Sequence, residues 1–514
     1  MEMIGVIMRT KNTLKNIAMN FLNSIVLNLL RFASRIVFVK VISEIYLGVN
    51  GLLSNVLGLL ALSELGISTA IGFSLYKPLA DKDDKKIGSL MKFYQKAYRI
   101  IFIVVVVSGL ILLPFLPYLI KEGTDGIEHL NIIYIIFLAN MAISYLFSYK
   151  RTLISADQKN YKITPFLILY NFITTVLQII VLLLFKNYII YLLIQTLCIV
   201  LENITVNHYI NKQYPLLNDL NKADKLDKKE LHSIKKNIEA LMLHKVGAYV
   251  VTSTDNIIIT KYIGIITTGI YSNYSLIIGM ISNFIYTLIN NTIASFGNLV
   301  ASEKPEKRLR VFRESNFICY VLYGVSALCL VHLLSPFIGY VFGEKFVIDK
   351  LVVYIICINF YIAGITLIAN MVQTASGLYR KDKYVPLAQA IINLVVSIVL
   401  AKRIGLAGVF IGTFVSSILP FIFKPCIIYK YVFERSVYSY FKEFVKETVI
   451  IMVSFFVSNY LISLFNTNII IEIIVRLIFS VCVPVSLIYI CYRHTEEYKD
   501  VLGRIKSILK RKKG

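Results

Sequence analysis

Fourteen stretches of the chain are each long and apolar enough to cross a lipid bilayer, the first at residues 16–39 and the last at 469–491. The hydrocarbon layer is about 30 Å thick, and roughly 20 helical residues span it. The runs are too long for barrel strands, and lipid leaves no water to satisfy an open backbone, so helix is their only sensible state. The expected fold class is therefore an all-α polytopic membrane protein of about 14 transmembrane helices. Only 16% of the 514 residues are charged, against about 25% in a typical soluble protein, which excludes a water-soluble enzyme.

The net charge of +24 lies between the apolar runs rather than within them. With the N-terminus inside, 42 of the 54 Lys and Arg fall in the expected cytoplasmic segments, eight fall in the opposite loops, and four (Arg31, Arg35, Lys245 and Arg476) fall inside spans. Basic loops beside a membrane report orientation before they report a partner, and this asymmetry places both termini in the cytoplasm. No nucleic-acid partner is expected. The seven Cys form no CxxC pair and there is no His cluster, so neither a disulfide framework nor a metal site is suggested. Polar Asn16, Asn20 and Asn23 interrupt the N-terminal apolar run, so the first segment is expected to remain as a helix rather than to be removed as a signal peptide.

The chain matches itself at a shift of 221 residues. Lys15-Asn16-Ile17 aligns with Lys236-Asn237-Ile238, and the same register pairs Lys40 with Lys261, Gly48 with Gly269, Ser54 with Ser275, Gly58 with Gly279, Ser155 with Ser376 and Pro165 with Pro386. Six expected helices lie in each copy, so the copies share one orientation and a pseudo-twofold along the membrane normal relates them. The implied organisation is an N-terminal six-helix lobe at 1–211, a mobile cytoplasmic linker with short amphipathic helical pieces at 212–236, a second lobe at 237–435, and helices 13–14 with a basic tail at 436–514. The tail residues Lys510-Arg511-Lys512-Lys513 are read as solvated, favouring anionic headgroups without forming a ligand site. Two lobes rocking about a midplane site give alternating access, so the repeat argues for transport.

Ionisable residues inside a bilayer are costly and are functional by default. In the first span Asn20, Ser24, Asn28, Arg31 and Arg35 follow steps of three and four and share one helical face. The equivalent face in the seventh span carries Lys245, Tyr249, Thr252 and Asp255, with Asn256 beside it; the repeat sets Arg31 against Thr252, Ser34 against Asp255 and Arg35 against Asn256. The second span has Asn50, Ser54, Glu64 and Ser68 on one face, and the eighth has Ser272, Ser275, Gly279 and Ser282, with Asn273 adjacent. A water-filled cavity between the lobes would hydrate all four stripes. Its substrate-binding candidates are Arg31, Arg35, Lys245, Asn28, Asn256 and Asn273, and its ion-coupling candidates are Glu64 and Asp255. A structural reading stands beside this one: the arginines could snorkel to an interface or pair with Glu64, and Asn and Ser are common packing residues between helices. Arg476 lies outside the repeat and is read as structural.

The runs Tyr46-Leu47-Gly48-Val49-Asn50-Gly51-Leu52, Leu62-Ser63-Glu64-Leu65-Gly66-Ile67 and Ser74-Leu75-Tyr76-Lys77-Pro78-Leu79-Ala80 resemble the N-terminal part of bacterial Wzx-type oligosaccharide flippases. So do Ser148-Tyr149-Lys150-Arg151, Ala156-Asp157-Gln158-Lys159, Ser253-Thr254-Asp255-Asn256-Ile257, Tyr271-Ser272-Asn273-Tyr274 and Ala294-Ser295-Phe296-Gly297-Asn298-Leu299. These flippases belong to the multidrug/oligosaccharidyl-lipid/polysaccharide exporter superfamily. The resemblance implies two six-helix bundles in a V-shaped alternating-access fold, often with two extra C-terminal helices. It also implies an undecaprenyl-pyrophosphate-linked oligosaccharide as substrate, membrane lipids and the polysaccharide polymerase machinery as partners, H+ or Na+ as coupling ion, and the bacterial cytoplasmic membrane as location. Within it Glu64 matches an acidic position on the second helix associated with ion coupling.

Two competing transport functions share this fold, export of drugs or small cations and flipping of lipid II. A cationic cluster counts against a cation exporter, because like charge repels its usual cargo. No enzyme and no cofactor are expected: there is no phosphate-cradling GxxxxGK loop, no Cys/His metal set and no nucleophile with a plausible base.

Overall fold

The computed structural model describes residues 2–64, 67–121, 126–290, 303–378, 381–382, 384–465 and 468–511; the side chains of 2–14, 17, 62–63, 69, 233, 236–237, 239–252, 290 and 504–511 lie outside that description. Among the described residues the protein is all-α. The helices are α1 (Glu2–Val41), α2 (Glu44–Leu60), α3 (Ile67–Asp81), α4 (Asp84–Leu112), α5 (Leu130–Ala156), α6 (Thr164–Phe185), α7 (Tyr188–Gln213) and α8 (Lys228–Tyr262). They continue as α9 (Ile265–Asn290), α10 (Pro305–Phe342), α11 (Lys350–Ala375), α12 (Val385–Ile404), α13 (Leu406–Ile428), α14 (Tyr438–Ser463), α15 (Ile469–Tyr492) and α16 (Glu496–Arg511).

Eleven helices among the described residues are long and apolar enough to cross a membrane. The three remaining spans expected from sequence coincide with α1, with α2 and α3 together, and with α8, which are the segments carrying the polar stripes. α9 bears the fourth stripe, and its best window has a mean hydropathy of 1.2 against 2.8 for α4. α9, one of the helices the sequence marks for chemistry, is thus the least apolar of the eleven. The second span, expected as one helix over 47–75, is instead broken: α2 ends in a 3-10 turn at Ala61–Glu64 and α3 starts at Ile67. Ser63, Glu64 and Gly66 are poor interior helix residues, because side-chain hydrogen bonding and glycine's entropy both compete with the α-helical ladder. The similarity run at 294–299 lies outside the described residues.

The chain divides into two compact units, Met1–Ser272 and Asn273–Gly514. In the first, α1 packs on α6, α4 and α6 each pair with a neighbour in the α5–α7 set, and α8 lies against α2 and α3. The first unit thus extends past the expected lobe boundary at 211, because α8 and the opening turns of α9 close onto α2. The linker is held rather than loose. Lys92 Nζ donates to the carbonyls of Asn221 (2.8 Å) and Ala223 (2.6 Å), and Lys86 pairs with Glu230. In the second unit α10 packs on α11 and α15, α11 on α13, and α14 on α15. The α12–α13 hairpin is drawn tight by Gly408 and Gly412, where an added Cβ would lie 2.3 Å from the Leu400 carbonyl oxygen and 2.1 Å from Ser397 Oγ. Small residues four apart allow such backbone approach in a membrane bundle. Arg476 is structural as expected from its place outside the repeat: its guanidinium donates to Glu472 Oε1 (2.8 and 2.6 Å) and to the His332 carbonyl (3.3 Å).

Gly48 and Gly269 are equivalent positions in the sequence repeat, and they meet. A Cβ on Gly48 would lie 2.0 Å from the Ile265 carbonyl oxygen, and one on Gly269 would lie 2.8 Å from both the Glu44 carbonyl oxygen and the Gly48 nitrogen. Backbone therefore touches backbone where α2 crosses α9. The neighbouring loop joins the same closure: Lys121 donates its backbone N–H to the Thr260 carbonyl (3.2 Å) and its ammonium to the Ile263 carbonyl (3.2 Å), while Lys261 reaches back to the Tyr118 carbonyl. Because backbone cannot yield as a side-chain tip can, we expect Gly48→Ala to lower stability by about 1–3 kcal/mol. Gly279→Ala, with nothing within 4 Å of the added Cβ, is expected to be neutral or slightly stabilising. Thermal melts of the two purified variants in one detergent check this; equal melting temperatures would contradict the close crossing.

Candidate functional site

α1 borders two chemically distinct sites, one at its middle and one near its C-terminal end. Near its C-terminal end Arg35 extends toward α9 and donates from Nη1 to Ser272 Oγ at 3.0 Å. Ser272 lies one turn beyond Gly269 and itself donates to the Gly269 carbonyl (2.6 Å). Arg35 is thereby tied to the helix that the glycine crossing brings close. Around it stands an aromatic wall. Tyr188 and Tyr191 of α7 stack at 6.0 Å, Phe38 meets both edge-on at 5.5 and 5.4 Å, and Tyr46 of α2 lies 5.1 Å from Tyr188. A guanidinium remains charged when partly desolvated and presents its donors in a rigid fork, so this pocket is suited to an anionic oxygen group.

Arg31, one turn before Arg35, is exposed and has no hydrogen bond or ion pair among the described residues. Asn28, a further turn away, is half-buried. The structure thus presents one arginine anchored at Ser272 and one with unused donors on the same helical face. That pair can grip two linked anionic groups, because side chains one turn apart are neighbours on a helix surface.

Glu64 lies elsewhere. It borders a cavity of about 460 Å³ inside the first unit, lined also by Asn20, Asn23, Ser68, Tyr98 and Arg151. Asn20 and Arg35 are 15 positions apart on α1, which at 1.5 Å per residue separates the two sites by about 22 Å. Tyr98 donates to Glu64 Oε1, and Tyr94 bridges Tyr98 (3.3 Å) and Thr152 (3.0 Å). Arg151 is engaged by Glu202 (2.8 Å) and Asn203 (3.0 Å). The cavity, lined half by polar and half by apolar atoms beside a carboxylate, can hold water that exchanges a proton with Glu64. Among the described residues Glu64 is bonded by a phenol rather than an arginine, so the pairing of Glu64 with Arg31 or Arg35 is not the arrangement seen here.

The remaining candidates fall on α8 and α9. Asp255 is buried in the first unit, and Asn256 beside it keeps a buried Oδ1 without a hydrogen-bond partner among the described residues. Asn273 is 0% exposed, and neither of its amide atoms has a hydrogen-bond partner among the described residues. The side chain of Lys245 lies outside the described residues. Sequence reading missed Tyr98, Tyr188 and Tyr191. Their signal is faint, because a tyrosine at a span end reads first as an interfacial anchor.

No protein-family model and no curated protein matches the chain in sequence. Solved structures do match in fold. The lipid II flippase MurJ in an inward closed conformation superposes with a TM-score of 0.67 at 13% identity, over 93% of this chain and 98% of that one. An inward-facing multidrug resistance MATE family transporter of the MOP superfamily gives a TM-score of 0.59 at 12% identity, over 78% of this chain and 94% of that one. A point mutant of the Vibrio cholerae MATE transporter VcmN gives 0.54 at 14% identity, over 84% and 98%. The chain has the all-α polytopic fold these transporters share.

Proposed function

We propose that the protein is a flippase that moves an undecaprenyl-pyrophosphate-linked oligosaccharide between membrane leaflets by alternating access, for surface polysaccharide synthesis. The observation that carries this reading is the Arg31–Arg35 pair on a polar face of α1, one arginine anchored at Ser272 and one without a hydrogen-bond partner among the described residues. Pyrophosphate offers two linked phosphoryl groups, and two forks one turn apart match them. Sugars and pyrophosphate cross hydrocarbon only at high cost, whereas the prenyl tail can stay in lipid. The aromatic cluster of Phe38, Tyr46, Tyr188 and Tyr191 packs the Arg35 end of α1 against α2 and α7 and so holds the guanidinium in place.

The length of the match favours a lipid-linked substrate over a drug. The MATE transporters cover 78–84% of this chain while covering 94–98% of themselves, and the MurJ flippase covers 93%. Lipid II, the substrate in that structure's name, shares the pyrophosphate headgroup and is the second reading. The glycine crossing with its lysine clasps is then a closed outer gate, and Glu64 in its separate cavity is the residue that exchanges a proton or Na+ with the cytoplasmic side.

Three outcomes follow. A reporter inserted between Lys222 and Lys228 is expected to face the cytoplasm and one between Lys121 and Glu128 the outside; both on one side would overturn the orientation. Arg35→Ala is expected to abolish flipping of a fluorescent lipid-linked oligosaccharide in proteoliposomes at normal protein yield, with Arg35→Lys restoring only part of the rate because an ammonium lacks the planar fork. Full activity in an Arg31→Ala/Arg35→Ala double variant would remove the phosphate clamp, and preference for lipid II over the oligosaccharide would decide for the second reading. Glu64→Gln is expected to remove the response of transport to an imposed pH or sodium gradient while substrate binding persists. An unchanged gradient response would exclude Glu64 from coupling.

A further inference from the structure

Three residues separate the end of the last candidate membrane span at Tyr492 from the start of α16 at Glu496, so α16 follows that span directly. Its sequence register is sharply two-faced. Tyr498, Val501, Leu502, Ile505, Ile508 and Leu509 fall on one face at steps of three and one, and Lys499, Lys506 and Lys510 line one border of that face with Arg504 and Arg511 on the other. From Glu496 to the end there are seven basic and three acidic residues, and the acidic ones are confined to the first turns.

Two features of the structure fix how this helix begins. Asp500 receives a two-pronged bond from Arg310 of α10, Nε to Oδ2 at 2.8 Å and Nη2 to Oδ1 at 2.7 Å. Tyr498 sets its ring 6.4 Å from Phe317 and 6.0 Å from Tyr489. Asp500 is thus engaged by the protein, and the acidic residues of the helix are confined to its first turns, away from the basic remainder. The apolar stripe starts on the protein at Tyr498 and runs outward to Leu502, which is exposed.

Beside Tyr498 an apolar cavity of about 390 Å³ opens between α10 and α15, lined by Val321, Val485, Tyr489 and Ile490. Val485, Tyr489 and Ile490 are exposed apolar side chains of a membrane span, so this cavity lies on a flank that lipid reaches. An acyl chain entering it would have its headgroup at the level of α16.

We propose that α16 is an interfacial helix that docks on anionic phospholipid, its apolar stripe at the acyl boundary, its basic borders on the headgroups, and one acyl chain seated in the cavity under Tyr498. Basic residues flanking an apolar face are the pattern that binds an anionic leaflet, with strength set by both apolar area and charge. Arg310–Asp500 sets the rotation of the helix so that the stripe continues from the protein surface into lipid. This site is independent of the transported substrate and of the Arg31–Arg35 clamp.

The test is amide hydrogen exchange of the full-length protein in nanodiscs of phosphatidylcholine alone or with one quarter phosphatidylglycerol. Amides of 501–511 are expected to exchange about tenfold more slowly with phosphatidylglycerol present, and the difference is expected to shrink at high salt. The quadruple variant Lys499→Gln, Lys506→Gln, Lys510→Gln, Arg511→Gln is expected to lose the lipid dependence. Leu502→Glu is expected to exchange fast in both discs, with the melting temperature of the remaining protein unchanged. Equal exchange of the wild type in both lipids, or a quadruple variant that keeps the full phosphatidylglycerol effect, would overturn the proposal; slow exchange in every case would mean that α16 docks on protein alone.

Discussion

Hydrocarbon supplies no hydrogen-bond partner, and every other feature of this protein answers to that fact. It makes each span a helix, because a helix satisfies its own backbone. It also sets a condition on each polar side chain within a span, which must find a partner on another helix or face water. Arg35 meets the condition at Ser272, Glu64 at Tyr98, Arg151 at Glu202 and Asn203, and Arg476 at Glu472 and the His332 carbonyl. Arg31 has no such partner among the described residues and is exposed, so its donors are open to a group from outside the chain.

The helices and the repeat were legible in the sequence because both depend on local pattern. Apolar length reports a span directly, and a shift of 221 reports duplication wherever the two copies kept the same residues. The break at Ala61–Glu64 was harder to read, since it replaces an α turn by a 3-10 turn inside an otherwise apolar run. The site was legible only in part. The spacing of Asn28, Arg31 and Arg35 placed them on one face, but nothing in the spacing placed Glu64 in a cavity of its own, bordered on α1 by Asn20 and Asn23 rather than by Arg35. Nor did it bring Tyr188 and Tyr191 of α7 to Arg35, because contacts between helices far apart in sequence depend on packing that periodicity does not encode.

The separation of the two α1 sites bears on how a gradient could act on a distant headgroup. α1 is one uninterrupted helix from Glu2 to Val41, and a packed helix moves as a unit rather than bending at each residue. A change of hydration or charge beside Asn20 and Asn23 would shift the same rod that holds Arg35 against Ser272. Coupling of this kind needs no chain of contacts between the sites, only two positions of one rigid element that each site biases.

Duplication explains why the two copies agree where they do and differ where they do. Gly48 and Gly269 remain identical because each would drive a Cβ into the other copy's backbone, and no side chain can be rearranged to relieve that. Arg31 and Arg35 correspond to Thr252 and Asn256, so the chemistry has diverged at these positions. A transporter with matched arginines in both copies would hold a diphosphate equally well in either state, and equal affinity for two states shifts nothing. Under the proposed function, a cation set that differs between the copies, Arg31 and Arg35 on α1 against Lys245 on α8, gives a bound anion different surroundings as the protein changes state, which is the asymmetry that release requires.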